Sequence, residues 1–403
     1  MKKRVLLIGT AALAATTLSL PVLAQKKYDP GANDKEIKIG QSMPYSGPAS
    51  AYGVIGKVQA AYFKRLNEKG GINGRRINFI SLDDGYSPPK TVEVIRKLVE
   101  QEEVLFTMGT LGTPSNTAIH KYMNAKKVPH LFLATGASKW NDPKNFPWTI
   151  GFNPNYHSEG KLYAQDILKT KPNAKIAVLF QNDDYGKDYY GGFKEGLGDK
   201  AKTMIVAEAS YEVTDPTIDS QIVTLKGSGA DVFFNITTPK FAAQAIRKVA
   251  DVGWKPVHYL NQVSASVGSV LKPAGLDKSV GIISMNYVKE PADKKWANDP
   301  TMLDYRALLK QYAADVDPDD GNASYGYAVS QLVEHVLKQA GDNLTRENIM
   351  KIATTIKALQ LPMVLPGVLA ETSPTDFALF QTMQLVKFDG TTWQAFGQPA
   401  SVR

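Results

Sequence analysis

Glu36-Ile37-Lys38-Ile39-Gly40-Gln41-Ser42 alternates apolar and polar side chains, the period-two pattern of a strand. Pro44-Tyr45-Ser46-Gly47-Pro48 follows as a loop rich in turn formers. Ile55, Val58, Tyr62 and Leu66 then recur at spacings of three and four, which predicts a helix stopped by Gly70-Gly71. Ile77 to Leu82 is a second strand ending on Asp83-Asp84. This is one βαβ unit, and the pattern continues. Pro88-Pro89 opens a helix through Val92, Ile95, Leu98 and Val99, since Pro fits a first helical turn. Val104 to Met108 has the character of a buried strand, Thr113-Pro114-Ser115-Asn116 opens a helix, and Val128 to Leu133 is another strand.

The alternation restarts at Lys175-Ile176-Ala177-Val178-Leu179-Phe180. A helix is expected from Gly191 to Leu197. Strands are expected at Met204–Ala207, Val232–Ile236 and Val257–Leu260, with helices at Ile218–Leu225 and Phe241–Val249. Regular βαβ alternation implies mostly parallel sheets covered on both faces by helices. Two runs, near 36–150 and 155–283, imply two α/β lobes of similar size. Helical segments follow at Pro300–Ala314 and Tyr325–Ala340. Gln384 to Phe388 and Trp393 to Phe396, turned around Asp389-Gly390, predict a terminal β-hairpin.

The two ends of the reading bound the class of protein. The 403 residues are 43% hydrophobic and 21% charged, ordinary for a globular chain. There is no cysteine, so disulfides, thiolate metal sites, cysteine nucleophiles and a lipid-carrying N-terminal Cys are excluded. Met1-Lys2-Lys3-Arg4 is a basic start, and Val5 to Leu20 carries no charge over about 16 residues. Pro21-Val22-Leu23-Ala24 then offers a cleavage site after Ala24. Residues 1–24 therefore have the layout of a secretory signal peptide. A membrane anchor would need roughly 20 apolar residues. Removing residues 1–24 takes away three cations and no anion, leaving 44 Lys+Arg against 39 Asp+Glu, or +5, on about 379 residues. That charge is modest and scattered, and no Arg/Lys block carries interleaved aromatics, which argues against nucleic acid.

Motifs for catalysis are absent. There is no G-x-S-x-G elbow, H-E-x-x-H, G-x-x-x-x-G-K-[ST] or G-x-G-x-x-G opening a helix after a strand. His120, His130, His157, His258 and His335 show no metal-ligand spacing and are expected at the surface or in loops. Asp83-Asp84 and Asp183-Asp184, at strand ends, suit loop capping better than a catalytic dyad. No cofactor or metal is expected. What the loops do suit is a small anion, because ligands of open α/β sheets sit beyond the carboxyl ends of strands. Gly109-Thr110-Leu111-Gly112-Thr113 lies at such an end, with Thr113 placed as an N-cap and Pro114 as the first helical residue. Free amides and the helix dipole can receive a carboxylate there, helped by the hydroxyls of Thr113 and Ser115. Ala134-Thr135-Gly136-Ala137-Ser138 is the parallel loop after the next strand. From composition alone, ordinary capping is the simpler account of both loops.

Four ordered motifs carry a resemblance: Pro44-Tyr45-Ser46-Gly47-Pro48 with Tyr52-Gly53; Asn67 with Gly70-Gly71-Ile72-Asn73-Gly74; Asp83-Asp84 with Pro88 and Lys90; and Asn182-Asp183-Asp184-Tyr185-Gly186. From about Glu36 onward the chain resembles the leucine/isoleucine/valine-binding family of periplasmic solute-binding proteins, which serve ABC transporters. The resemblance implies a type I periplasmic binding fold, with two doubly wound parallel-sheet lobes joined by a three-segment hinge. Lobe 1 would comprise 36–153 plus 284–362, and lobe 2 would comprise 154–283 plus 363–403. Crossings are expected near Phe152–Pro154, Ile283–Met285 and Leu361–Gly367. It further implies that Leu111, Thr113, Ser115, Ala134, Thr135 and Gly136 hold a ligand carboxylate and that Tyr52 flanks its apolar part. Tyr156, Tyr185 and Thr238 would contribute from the second lobe.

Gln262 stands where the amino-acid binders carry an acid for the ligand's ammonium, and Gly112 where they often carry a disulfide cysteine. A neutral amide cannot compensate a buried ammonium. The chain is similar to the subgroup that binds aromatic carboxylates, with Tyr45, Tyr52, Trp140, Tyr156 and Tyr185 as flat walls. The expectation is a monomeric, non-enzymatic periplasmic binder of a small organic acid, preferably aromatic, that delivers it to an inner-membrane permease. A branched-chain amino acid binder, with Asp183, Asp184 or Glu159 as the substitute acid, is the alternative within the family. A secreted α/β hydrolase and a receptor's sensory domain are the alternatives outside it.

Overall fold

The computed structural model describes residues 26–401, so the predicted leader at 1–24 lies outside the described residues. Two sheets organise the chain. The first is wholly parallel, in the order Arg76–Asp83, Glu36–Met43, Phe106–Met108, His130–Leu133, Thr149–Gly151. The second runs Ile205–Tyr211, Ile176–Gln181, Val232–Ile236, Val257–Leu260, Ile283–Asn286, all parallel. Thr382–Phe388 and Trp393–Ala395 then extend it as an antiparallel edge hairpin, with Ala400–Ser401 paired to the start of Thr382–Phe388. Numbered by their place in the chain, the parallel strands of each lobe lie in the order 2-1-3-4-5. Each lobe therefore has a switch point between its first and third strands, where loops leave toward opposite faces and open a crevice.

Local sequence explains the elements. Phe106–Met108, His130–Leu133 and Val232–Ile236 are buried at every position, as central strands covered on both faces must be. The edge strand Ile205–Tyr211 instead alternates half-buried and exposed positions up to a buried Tyr211. Helix Gly53–Glu68 buries Ile55, Val58, Ala61 and Tyr62. The helix expected from Gly191 begins earlier, at Asp184. The Asp183 carboxylate caps it by accepting from the amides of Tyr185 and Gly186 at 3.0 and 3.1 Å. Its glycines dilute the helical signal but allow close packing. A Cβ at Gly192 would lie 1.8 Å from the His157 carbonyl of the neighbouring helix Tyr156–Thr170.

The lobes are not continuous in sequence. Helices Pro300–Tyr312 and Gly321–Ala340 return to pack on Gly53–Glu68 of the first lobe. Tyr62 donates to Glu334 at 2.5 Å, and Arg65 makes a two-pronged ion pair with Asp304 at 3.0 and 2.8 Å. Strand Ile283–Asn286 belongs to the second sheet, so the chain leaves that sheet at Tyr287. This corrects the expected crossing at Ile283–Met285 and places Ser284 to Asn286 with the second sheet rather than the first lobe. The segment's antiparallel partner, Thr382–Phe388, comes near the chain's end, which hides its strand character from local reading. The second and third crossings run side by side: Val288 bridges Val364, Lys289 donates its amide to Met363, and Leu365 donates to Tyr287. Phe152, on the first crossing, is fully buried between the rings of Tyr287, Tyr325 and Phe380 at 6.4, 5.2 and 5.1 Å.

Candidate functional site in the interlobe cleft

Two loops leave adjacent strands of the first lobe zipped together. Leu111 bridges Ala134, the Ala134 amide donates to Thr110, and the Gly112 amide donates to Ala134. Asn116 secures the first loop from the helix side through Thr110 and Gly112 carbonyls at 2.9 and 2.7 Å. Gly112, not Thr113, is the N-cap of helix Thr113–Ala125, and Pro114 is the second helical residue. The reason is Gly112's backbone: φ +97° suits a residue without a side chain. Thr113 is thereby freed from capping, and its hydroxyl lies 2.6 Å from that of Thr135. The Trp140 indole donates to Thr135 at 3.2 Å and holds the pair in place. The first amides of this 13-residue helix have no intrahelical acceptor, so a hydroxyl pair and a helix N-terminus meet at one wall.

That wall belongs to a cavity between the lobes. Of the predicted residues, Tyr52, Leu111, Thr113, Ala134, Thr135, Tyr156, Tyr185, Thr238 and Gln262 line it. Ser115 and Gly136 do not. Ser115 is buried behind the loop, its hydroxyl 3.0 Å from that of Thr91, which donates to Asp84 at 2.8 Å. Gly136 lets Tyr156 approach: its carbonyl accepts the Tyr156 amide at 2.8 Å, and a Cβ there would stand 2.7 Å from the ring. Of the expected aromatic walls, Tyr45 and Trp140 lie behind the lining, bonded to Ser81 and Thr135. Tyr86, Tyr325 and Trp393 line the cavity, although sequence reading did not single them out.

The second lobe contributes satisfied hydroxyls. Tyr185 donates to the Thr237 carbonyl at 3.1 Å and accepts from Asn261 at 2.8 Å. Tyr156 stacks on Tyr189 with centroids 4.4 Å apart. Thr238 donates to Gln181 and shares a hydrogen bond with Tyr211. Contacts also span the cleft. Tyr52 donates to the Val263 carbonyl at 3.1 Å, Ser138 to Asp188 at 2.7 Å, and Ser266 to Asp320 at 2.7 Å.

The acidic residues have structural work. Asp83 takes amides of Tyr45, Ser46 and Gly85, with Ser46 and Lys90 side chains, and its pKa lies far below the usual carboxyl range. Asp184 pairs with Lys139. Glu159 is buried, and burial pushes its carboxyl up to about 7, although it accepts from Tyr163, Tyr189 and the Gln262 amide. None of Asp183, Asp184 and Glu159 lines the cavity, whereas Glu290 and Lys289 do.

The histidines correct another expectation: His120, His130 and His258 are buried. Burial lowers them to about 4, about 3 and about 3 respectively. His120 stacks on Phe146 with centroids 3.8 Å apart. No histidine lines the cavity. Among the described residues, no three His, Cys, Asp or Glu side chains are placed to hold a metal ion.

Gly112 explains one departure noted in the sequence. A Cβ there would lie 2.5 Å from the Tyr86 ring and would sit at φ +97°. Gly112→Ala is expected to destabilise the protein by about 1–3 kcal/mol, the usual cost of such backbone strain. An unchanged urea midpoint would contradict that account of Tyr86.

Two lobes of this topology, joined by three crossings over a polar and aromatic cavity, are the architecture of type I periplasmic binding proteins. The chain belongs to the periplasmic binding protein family, whose model matches residues 36–392. The Leu/Ile/Val-binding protein homolog 1 of Brucella abortus is 25% identical over 321 residues, covering 77% of this chain and 81% of that protein. A branched-chain amino acid ABC transporter protein from Thermus thermophilus, solved with bound valine, superposes with a TM-score of 0.82 at 14% identity, covering 92% of this chain and 97% of that one. A fatty acid ABC transporter substrate-binding protein from Thermomonospora curvata superposes at 0.76 with 21% identity, covering 93% and 95%. Members of the family are periplasmic binding proteins for transport, not enzymes, and the chain is a solute-binding component of this kind. Among the described residues, no helix is long and apolar enough to cross a membrane.

Proposed function

We propose that the cleft clamps a small organic acid, preferably an aromatic carboxylate, and presents it to an inner-membrane ABC permease. The observation that carries this reading is the paired hydroxyls of Thr113 and Thr135 beside a helix N-terminus, in a cavity walled by Tyr52, Tyr86, Tyr156 and Tyr185. Hydroxyls and free amides receive a carboxylate without a counter-cation. Flat tyrosine faces suit a ring. Gln262 lines the cavity where an ammonium partner would be needed, and Asp183, Asp184 and Glu159 are engaged elsewhere. In this reading the protein is a monomer, reaches the periplasm through the leader cut after Ala24, and carries no cofactor. Lobe closure retains the acid until the permease receives it.

Branched-chain amino acid binding is the second reading, favoured by the names of the Brucella and Thermus relatives. A thermal-shift series separates the two, because a ligand that binds only the folded state raises the midpoint. Benzoate or 4-coumarate should raise it; stabilisation by leucine and valine alone would sink the aromatic reading. Thr113→Ala should weaken the acid about ten- to a hundredfold, the worth of a hydrogen bond to a charged group. Unchanged affinity, measured by calorimetry, would remove the hydroxyl pair from the site.

A further inference from the structure

Glu290 follows the second crossing and lines the same cavity, yet it is only 7% exposed. One carboxylate oxygen accepts the Ala292 amide at 3.2 Å. The other faces Gly321, where a Cβ would lie 3.7 Å from it, and no donor among the described residues bonds to it. The adjacent cation is committed elsewhere: Lys289 pairs with Asp299 at 2.6 Å and lies over Trp296. Neighbouring Asp320 is satisfied by Ser266 and the Asn322 amide. The buried carboxyl thus has one oxygen that no donor among the described residues reaches, in the cavity lining beside Gly321. It shares no hydrogen bond with the Thr113–Thr135 pair.

We propose that Glu290 forms a second polar subsite of the cavity, which takes an ammonium group carried on the acid ligand at a distance from its carboxylate. The proposal rests on the acid-binding reading above. A buried, unpaired carboxylate is costly, and a ligand cation supplies the partner that the protein withholds. Burial, with Asp320, Asp319 and Asp293 nearby, pushes the Glu290 carboxyl up to about 8. At pH 7 the empty site therefore holds a largely protonated carboxyl, and a ligand ammonium would favour its ionised form. Met285, Val288 and Tyr325 supply apolar lining for the body of such a ligand. The substrate class that this subsite and the aromatic walls suit together is an aromatic acid that also carries an amine.

Three probes test this by calorimetry on the purified protein at pH 7: 4-(aminomethyl)benzoate, 4-methylbenzoate, and methyl 4-(aminomethyl)benzoate, whose carboxylate is masked. The amino acid should bind at least about tenfold more tightly than 4-methylbenzoate. Glu290→Gln should erase that preference while leaving 4-methylbenzoate within about twofold. Equal affinity of the two acids for the unmodified protein, which needs no variant, overturns the subsite. A preference that survives in Glu290→Gln does the same. If neither acid binds but the ester does, and only with Glu290 intact, the acid-binding reading fails and the subsite stands. Silence with all three probes overturns the subsite.

Discussion

Phe152→Ala is expected to cost about 3–5 kcal/mol of stability, the range for removing a large aromatic ring from a packed core. Phe152 is fully buried on the first crossing, and its ring touches Tyr287 on the second, Tyr325 on the returning helix, and Phe380 beyond the third. Those neighbours come from three separate stretches of chain, so collapse around the void would have to move several elements together. The loss should therefore fall at the upper end of the range. It should appear as a midpoint drop of about 5–10 °C in a thermal scan. Phe152→Leu should recover much of it, because volume is largely kept. A drop under 2 °C for the alanine variant would mean that the three crossings are held by something other than this ring.

Stability is expected to peak near pH 6.5 and to decline on both sides. The alkaline limb comes from Glu159 and Glu290. Their folded pKa values, about 7 and about 8, lie above the ordinary glutamate value of 4.5, so the folded chain keeps protons that the unfolded chain has lost. Stability then falls as pH rises through that window. From pH 6.5 to 8.5 the two groups together remove about 3 kcal/mol. The acid limb comes from His120, His130 and His258, whose folded values of about 4, about 3 and about 3 lie below 6.5. The unfolded chain binds protons there that the folded chain refuses, so stability falls as pH drops below 6.5. Down to about pH 4.5 the three histidines outweigh the two carboxylates. Urea titrations at several pH values measure the profile. A flat response from pH 6.5 to 8.5, or a slope that persists in the Glu159→Gln, Glu290→Gln double variant, would remove the carboxylates as its cause.

Much of the fold was legible because its signals are local. Alternation in Glu36–Ser42 and the apolar run Ile176–Phe180 each announce a strand whatever lies beyond them. Nine of the eleven predicted site residues line one cavity, because strand-end loops in this topology converge. What escaped depends on distant partners. Ile283–Asn286 becomes a strand through Thr382–Phe388, and Tyr325 joins the cavity because its helix returns to the first lobe. Glu290 comes beside Gly321, thirty-one residues on, a neighbour that local reading cannot supply. Ser115 and Gly136 were placed one step too far forward. Loop composition shows where a turn lies but not which of its residues faces inward. Tyr86 left a faint trace: it follows Asp84-Gly85 at a strand end, and its φ of +62° is the mark of a tight turn.

The edge hairpin of the second sheet has a consequence for biogenesis. Trp393 lines the cavity, and its indole is anchored to the Ala265 carbonyl at 2.8 Å. The first lobe likewise depends on Gly321–Ala340 packing back onto Gly53–Glu68. A chain that emerges amino end first can complete its first lobe only after Gly321–Ala340 has appeared, and its second only after Thr382–Phe388 and Trp393–Ala395. Pairings that distant in sequence also form slowly. A ligand therefore cannot be captured by a nascent or half-exported chain, and the order of the elements itself delays compaction until the whole chain is available.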